Sequence, residues 1–437
     1  MQSTATAPDQ RVAHLAVTWA LMVPMFFFAC KGVLWFQSAE GNNNIGAYFS
    51  GLAVGGSGVS ERLTLPPILG IVFALVLLRL SSTLAVAARG KVFIGLAVLA
   101  LASTIWSQFP SKSFSFAVCL LINTFFAFYL VARLKPIQLM RVLLILGWII
   151  LIMSYCFSLF LPKYGIDHRG SQGSIGAWQG VFAHKNLGAI MLIFLMTIVF
   201  YLPAKSLLAK VSRAMYIGMT LVFLVLSQST TGYIICAALF AFIFALKSAR
   251  AFKARDRAFV VVVGLSVALA LGALVAGQYE NILRVIGKDP SLTGRTGIWA
   301  AVLMSCLKHP ITGYGYRAFF GTAGLQGEGA NVDVAAGWMV TGAHNGFLEV
   351  WLDLGGLGLG MVILSFVKAV KDSIYCLRQR EVTQYTDWYI CIIFLTMISN
   401  LDEQTVLIPN YLAWVIYIVA CIGLADEARK LRARLPA

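Results

Sequence analysis

The sequence predicts an all-α polytopic membrane protein with about twelve transmembrane helices and one large loop outside the cytoplasm. Of its 437 residues, 59% are hydrophobic and 12% are charged, whereas a typical soluble domain has about 25% charged residues. The apolar residues fall in runs of roughly 16 to 22, the length that crosses ~30 Å of hydrocarbon. Backbone amides find no water partner at that depth, so each run is expected to be a helix.

The apolar runs divide the chain into three parts. Residues 1–277 hold nine predicted helices, 278–343 form the large loop, and 344–437 hold three more helices and a cytoplasmic tail. The predicted spans are 12–30, 63–80, 91–106, 113–132, 140–161, 187–203, 211–226, 232–246, 258–277, 344–367, 387–400 and 405–424.

The basic residues predict the orientation of these helices. The net charge is +16, but Lys and Arg are concentrated in alternate short segments, for example in 247–257. Positive charge marks cytoplasmic loops, so both termini are predicted to be cytoplasmic, in a bacterial inner membrane. The basic charge is therefore explained by topology, and no nucleic-acid partner is expected.

The lengths of the predicted loops indicate that a catalytic site would lie on the outer, periplasmic side. The predicted cytoplasmic loops are too short for a catalytic domain, whereas 278–343 is long enough to fold. Within it, residues 295–308 (RTGIWAAVLMSCLK) carry apolar residues at helical spacing. This segment is predicted to be an amphipathic helix that lies on the membrane surface or caps the bundle.

Cysteine and acidic patterns predict no metal site. None of the eight cysteines forms a CxxC pair, so they are interpreted as small core residues. The outer segments contain no Asp-x-Asp or His/Cys ligand spacing. No metal or other cofactor is expected.

Polar residues that are costly at membrane depth cluster at the outer ends of the predicted helices. Arg and Lys at this boundary suit a lipid diphosphate, whose departure they would stabilise, and a nearby histidine suits a general base. The candidate catalytic residues are His344 and Arg295. The candidate substrate-binding residues are Arg169, His184, Lys185, Asn186, Arg317 and Asn345.

Other polar residues at the same level have structural interpretations. Lys185 and Arg317 also fit residues that extend their charge to the membrane interface, and Ser229 fits a helix end. Glu349 and Asp353 lie one turn apart and are interpreted as balancing a nearby cation. Asp402 and Glu403 fall in a short outer turn, which predicts solvated carboxylates.

Two motifs in 293–358 carry a family resemblance. TGRTGIWAAVLMSCLKHPITGYGYRAFF has a Gly-Arg helix, His-Pro and a Gly-x-Gly turn, and AHNGFLEVWLDLGGLGLG has a His-Asn helix start and a Gly-rich stretch. They resemble the O-antigen ligase and polymerase superfamily. GAWQGVFAHKNLG and LASTIWSQFP are most similar to exopolysaccharide polymerases of the succinoglycan type.

The resemblance implies a membrane-embedded, metal-independent glycosyltransferase fold. It implies oligosaccharide repeat units on undecaprenyl diphosphate as substrates at the periplasmic face, with a flippase and a chain-length regulator as partners. His344 would activate or position the attacking hydroxyl, and Arg295 with Arg169 or Lys185 would hold the diphosphate.

Two alternatives remain open. A ligase that transfers a finished glycan to lipid A-core would use the same residues with a different acceptor. A secondary transporter also fits twelve spans, but transporters keep their binding residues near the bilayer midplane, whereas the polar residues here gather at one face.

Overall fold

The structure, a computed structural model, describes residues 7–30, 59–168, 175–263, 295–320, 342–379 and 383–434, together with residues 329, 332 and 340. In these residues the regular structure is helical, apart from one isolated antiparallel bridge between Ile166 and Trp178. This described part of the protein is therefore all-helical, and its apolar helices agree with the predicted multi-pass membrane protein.

Most helices follow the predicted apolar runs, but α3 was not predicted and α11 extends ten residues beyond the predicted span 344–367. Their bounds are α1 Ala7–Ala29, α2 Val59–Leu77, α3 Leu80–Ala87, α4 Lys91–Ala102, α5 Pro110–Arg133, α6 Pro136–Phe160, α7 Lys185–Tyr201, α8 Leu207–Ser227, α9 Thr230–Ala249, α10 Arg295–Lys308, α11 Gly346–Leu377, α12 Gln384–Ser399 and α13 Leu412–Ala433.

The number of membrane spans is only partly tested by helix length. Within the described residues, α5, α6, α8, α9 and α11 are long and apolar enough to cross a membrane, and α2 with α3, bent by 89°, adds a sixth candidate. Helices α7 and α12 have 17 and 16 residues, or about 25 Å. The predicted span 258–277 is helical through residue 263 and otherwise lies outside the described residues. Twelve spans and the outer loop stay predictions.

Helices α7, α12 and α13 form the centre of the bundle. The side chains of α7 are buried almost throughout, and so is the segment 412–424 of α13. Helix α12 packs against both of them, while α5 and α11 pack against α13. A helix that is apolar on every side is suited to such a position.

The last predicted span begins later than expected. Residues 405–411 are apolar but not helical, and α13 starts at Leu412. The side-chain oxygen of Asn400 accepts hydrogen bonds from the amides of Thr405 and Val406 at 3.0 and 3.3 Å, and the carbonyl of Leu407 accepts the Tyr316 hydroxyl at 2.6 Å. These contacts satisfy backbone groups that would otherwise require a helix.

The amphipathic helix occupies the predicted residues, since α10 spans Arg295–Lys308. Its buried face, which includes Ile298 and Val302, packs on α11. Leu303, Met304 and Leu307 of α10 are exposed. The helix therefore caps the bundle through one face and presents an apolar second face.

Ion pairs gather at the end of the bundle where α11 and α13 terminate. Arg89 pairs with Asp426 and Arg250 pairs with Asp387, while Arg432 contacts Asp372 at 3.0 Å. A small cavity between α4, α11 and α13 also lies at this end. The predicted site residues described below lie at the opposite end.

Candidate functional site

His344 stands directly before α11 in a strained backbone conformation. Its φ is +47°, which is unfavourable for a residue with a Cβ. The preceding residue is held on both sides, because the Ala343 amide donates to Glu349 Oε2 at 2.7 Å and the Ala343 carbonyl accepts from Trp299 Nε1 at 3.0 Å. Asn345 then caps α11 by accepting from the amides of residues 347 and 348. The backbone of His344 is thus fixed from α10 and from α11.

The imidazole of His344 faces a carboxylate from the turn after α12. His344 Nδ1 lies 3.4 Å from Glu403 Oε1, and the two side chains are 24% and 20% exposed. The Glu403 amide bonds to the carbonyl of Ser399 at 2.8 Å, which holds the residue at the end of α12. Glu403 does lie in the expected turn, but its carboxylate faces His344 and is not freely solvated, because the packing of α11 and α12 brings the two residues together.

Asn186 joins the same carboxylate from the first turn of α7. Its Nδ2 donates to Glu403 Oε1 at 3.0 Å, and its Oδ1 accepts the hydroxyl of Ser229 at 2.8 Å. Ser229 also caps α9 by accepting the amide of Gly232 at 3.0 Å. We call His344, Glu403, Asn186, Ser229 and His184 the His344 cluster.

His184 is the N-cap of α7. Its Nδ1 accepts the amide of Asn186 at 3.2 Å, so the ring proton lies on Nε2. Burial lowers the pKa of His184 to about 4; the nearby Glu403 carboxylate opposes this shift and His344 adds to it. His184 is therefore neutral at pH 7 and presents a donor, not a positive charge.

Arg317 anchors a second group of polar side chains beside the first. Its guanidinium contacts Gln404 Oε1 at 2.8 Å and Glu349 Oε1 at 3.4 Å, and its amide donates to Asp353 Oδ1 at 2.9 Å. The side chains of Arg317 and Glu349 are only 9% and 5% exposed. The interpretation of Glu349 as the partner of a nearby cation is confirmed, whereas Asp353 binds the backbone amide of that cation's residue. With Lys112, these residues form the Arg317 cluster.

Lys112 and Gln404 add donors to the Arg317 cluster. Lys112 Nζ donates to the carbonyl of Phe320 at 2.8 Å and lies within electrostatic range of Arg317 and both carboxylates. The amide nitrogen of Gln404 is buried and has no hydrogen-bond partner in the described part of the chain. Nothing in the sequence singles out these two residues.

The two glycine motifs contact each other at a break in α11, next to the Arg317 cluster. Helix α11 is interrupted at Gly355, which has a φ of +66°. The carbonyls of Leu352 and Asp353 at this break accept the amides of Tyr314 and Gly315 at 2.8 and 3.1 Å. A Cβ on Gly355 would collide with the carbonyl of Ile311. The Gly-x-Gly turn and the Gly-rich stretch are thus two halves of one joint.

The structure brings most predicted site residues to one region. Adjacent residues Glu403 and Gln404 link the His344 cluster to the Arg317 cluster, and Asn345 caps α11 beside them. Lys185 Nζ lies 3.5 Å from the Gln228 carbonyl, at the turn that carries Ser229. Arg295 opens α10, whose Trp299 binds the peptide before His344. Arg169 lies outside the described residues.

Comparisons with known proteins agree with these motifs. Residues 214–363 match a family model described as O-antigen ligase; this segment holds Ser229, Arg317 and His344 but not Asn186 or Glu403. The chain is 26% identical over 283 residues to the exopolysaccharide production protein ExoQ of Rhizobium meliloti (strain 1021). The alignment covers 62% of this chain and 62% of the length of that relative.

Proposed function

The chain is similar to the O-antigen ligase and polymerase superfamily, of the exopolysaccharide type, and from this premise we propose that it polymerises lipid-linked oligosaccharide repeat units. The units would be carried on undecaprenyl diphosphate and joined into exopolysaccharide at the periplasmic face of the inner membrane. The observation that carries the proposal is the partly exposed His344–Glu403 pair beside the cations of the α7 start and the Arg317 cluster.

The His344–Glu403 pair suits activation of a sugar hydroxyl. When Nδ1 of His344 donates its proton to Glu403, Nε2 is the unprotonated nitrogen and faces away from the carboxylate. This arrangement of a base oriented by a carboxylate recurs in enzymes that activate hydroxyl groups. Nε2 would accept the proton of the acceptor hydroxyl as that oxygen attacks.

The reaction balances without a further reagent. The hydroxyl oxygen of a fresh lipid-linked repeat unit forms a bond to the anomeric carbon of the growing chain. The bond from that carbon to the diphosphate oxygen breaks, undecaprenyl diphosphate leaves with the electron pair, and the hydroxyl proton moves to His344. Positive charge near the departing oxygen lowers the barrier because negative charge develops there.

The cations at this end would hold the diphosphate. Lys185 precedes Asn186, which bonds to Glu403, and Arg317 bonds to Gln404. We assign Arg295 and Arg169 to the same subsite. Neutral His184 would donate from Nε2, and the buried amide of Gln404 offers another donor. Arg317 is already neutralised by Glu349, so its role is to fix geometry more than to add net charge. A flippase and a chain-length regulator are the expected partners.

The proposal is tested by the glycan profile of a deletion strain complemented with the wild type or with His344→Gln. We expect wild type to restore polymer and His344→Gln to leave single repeat units on the lipid. The control is His309→Gln, because His309 is exposed and lies outside both clusters. Normal polymer from His344→Gln at wild-type protein levels would remove His344 from the mechanism.

The second candidate function is an O-antigen ligase, which the description of the matching family model favours. The donor and the residues would be the same, and lipid A-core would replace the repeat unit as acceptor. The same experiment separates the two functions. In the deletion strain, long lipid-linked chains that fail to reach lipopolysaccharide would identify a ligase. A glycan profile in that strain identical to that of the parent strain would favour the transporter alternative.

A further inference from the structure

A continuous chain of hydrogen bonds leads from a fully buried serine to His344. Ser229 Oγ bonds to Asn186 Oδ1 at 2.8 Å, Asn186 Nδ2 bonds to Glu403 Oε1 at 3.0 Å, and the same oxygen lies 3.4 Å from His344 Nδ1. The four residues come from the starts of α9, α7 and α11 and from the end of α12. No single helix therefore determines this geometry.

The direction of each bond follows from the chemistry of the groups. The Oδ1 atom of Asn186 only accepts, so the Ser229 hydroxyl must donate to it. The amide group of Asn186 is thereby oriented with its NH2 toward Glu403, because the reverse orientation would set two oxygens against each other. Ser229 can do this while capping α9, because its oxygen also accepts the Gly232 amide.

The four residues of this hydrogen-bonded series differ in exposure and form a more exposed pair and a buried pair. His344 and Glu403 have side chains that are 24% and 20% exposed, whereas Asn186 is 9% exposed and Ser229 is 0% exposed. A substrate that reaches His344 meets the more exposed pair first. Asn186 uses both ends of its amide on protein partners, which argues against its expected contact with substrate.

We propose that Ser229 and Asn186 are positioning residues that hold the Glu403 carboxylate against His344. The expected effect on the reaction rate rests on the proposed function, whereas the positioning of Glu403 by these two residues does not. Both donors meet on one oxygen of Glu403, so loss of the Asn186 bond leaves the carboxylate with fewer fixed orientations. The imidazole would then lose the partner that sets its tautomer.

The alternative explanation is that Ser229 serves only as a helix cap, and the chain offers a matched comparison. Ser227 is also fully buried, two residues away, and its hydroxyl bonds to the carbonyl of Leu224 at 2.7 Å. Within the described residues its hydroxyl makes no hydrogen bond to the His344 cluster. Ser227→Ala therefore reports the effect of removing a buried hydroxyl from the same turn.

The first test measures chain extension from lipid-linked repeat units in membranes with matched protein levels. We expect Ser229→Ala to lower kcat about tenfold with KM unchanged, a smaller loss than the roughly 10²–10⁴-fold contribution of a general base, because His344 itself stays in place. Ser229→Thr, which keeps the hydroxyl, should recover most of the rate, and Ser227→Ala should match wild type. A raised KM with unchanged kcat would mean substrate contact and would overturn the proposal.

The second test asks whether Ser229 acts through Glu403. In a Glu403→Gln background, Ser229→Ala should reduce the rate less than twofold further, because residues in one network are not additive. If the tenfold loss persists there, the two residues act independently and the proposal is wrong.

The third test does not depend on any activity. Diethyl pyrocarbonate modifies accessible histidines, and mass spectrometry of the peptides gives the rate at each one. We expect Ser229→Ala to raise the modification rate of His344 at least twofold while that of His309 stays constant. An unchanged His344 rate would overturn the positioning role, whereas failure of the wild type to make polymer would overturn only the proposed function.

Discussion

The ion pair between Arg317 and Glu349 is the most deeply buried charge contact near the site. Both side chains are less than 10% exposed, and Glu349 also holds the peptide that precedes His344. Removing one member of such a pair leaves the other charge buried without compensation, which costs about 3–5 kcal/mol. The pair therefore couples folding of this end of the bundle to the geometry of His344.

We expect Arg317→Ala to lower the thermal unfolding temperature of the purified protein clearly. The cause is the uncompensated carboxylate of Glu349. Arg317→Ala combined with Glu349→Gln should recover part of the loss. Arg255→Ala is the control, because Arg255 is 81% exposed and its pairing with Asp256 lies at the surface. Equal effects of Arg317→Ala and Arg255→Ala would contradict the assignment.

The lowered pKa of His184 predicts how the stability of the folded protein depends on pH. Its pKa is lowered from 6.5 to about 4, chiefly by burial. Between these values the unfolded chain binds a proton that the folded protein does not, so stability is fully present above pH 6.5 and declines as pH falls toward 4. His184→Asn keeps a capping side chain and should shrink the loss of thermal stability between pH 7.5 and pH 5. An identical loss in wild type and variant would refute the role of His184.

Some residues of the candidate site could be predicted from the sequence and others could not. His344 could be selected because it ends the predicted loop and begins an apolar run. Glu403 could not, because its partners Asn186 and His344 are 217 and 59 positions away and only the packing of α7, α11 and α12 brings them together. Lys112 was missed for the same reason, since its carbonyl partner is 208 positions away.

At the scale of elements, α11 depends on the joint at Gly355. The break releases carbonyls of α11 from their helical partners, and the 313–315 segment supplies amides in their place. Only glycine combines the positive φ with the close approach of the Ile311 carbonyl. The predicted outer loop and α11 are therefore one structural unit.

We expect Gly355→Ala to destabilise the protein by more than ~2 kcal/mol, because both backbone strain and a steric collision oppose it. Polymer yield should fall with it. Gly360→Ala is the matched control in the same helix, since Gly360 has open space around it, and it should leave the unfolding temperature unchanged or slightly higher. Thermal unfolding of both variants in one detergent gives the comparison.

Elements were predictable where local pattern decides the structure. The bounds of α10 follow from helical spacing between Gly294 and His309-Pro310, which are local signals. Residues 405–411 fall within a predicted span but stay irregular, because Asn400, Asn123 and Tyr316 satisfy their backbone groups. Hydropathy carries no information about such distant partners.

The whole molecule has two polar ends of different character. One end holds the His344 and Arg317 clusters, and the other holds the three pairs of Arg with Asp described above. From the positive-inside rule we expect the second end to be cytoplasmic and the clusters to face the periplasm, where the proposed function joins lipid-linked glycans.

This orientation predicts the accessibility of introduced cysteines. In a Cys156→Ser background, which removes the exposed native thiol, Met304→Cys on α10 should react with a membrane-impermeant maleimide in intact spheroplasts. Lys371→Cys, at the far end of α11, should react only after the membrane is opened. The opposite pattern would invert the topology and move the proposed site to the cytoplasm.

The joint between α11 and the glycine turn has a further consequence, for amide exchange with heavy water. The amides of Tyr314 and Gly315 lie in a connection between helices, where exchange is ordinarily fast. Because they bond to carbonyls of α11 at 2.8 and 3.1 Å, they can exchange only when the joint opens. These two amides should thus exchange slowly although they lie outside the helices. Their exchange rate measures how often the contact between the glycine turn and α11 opens.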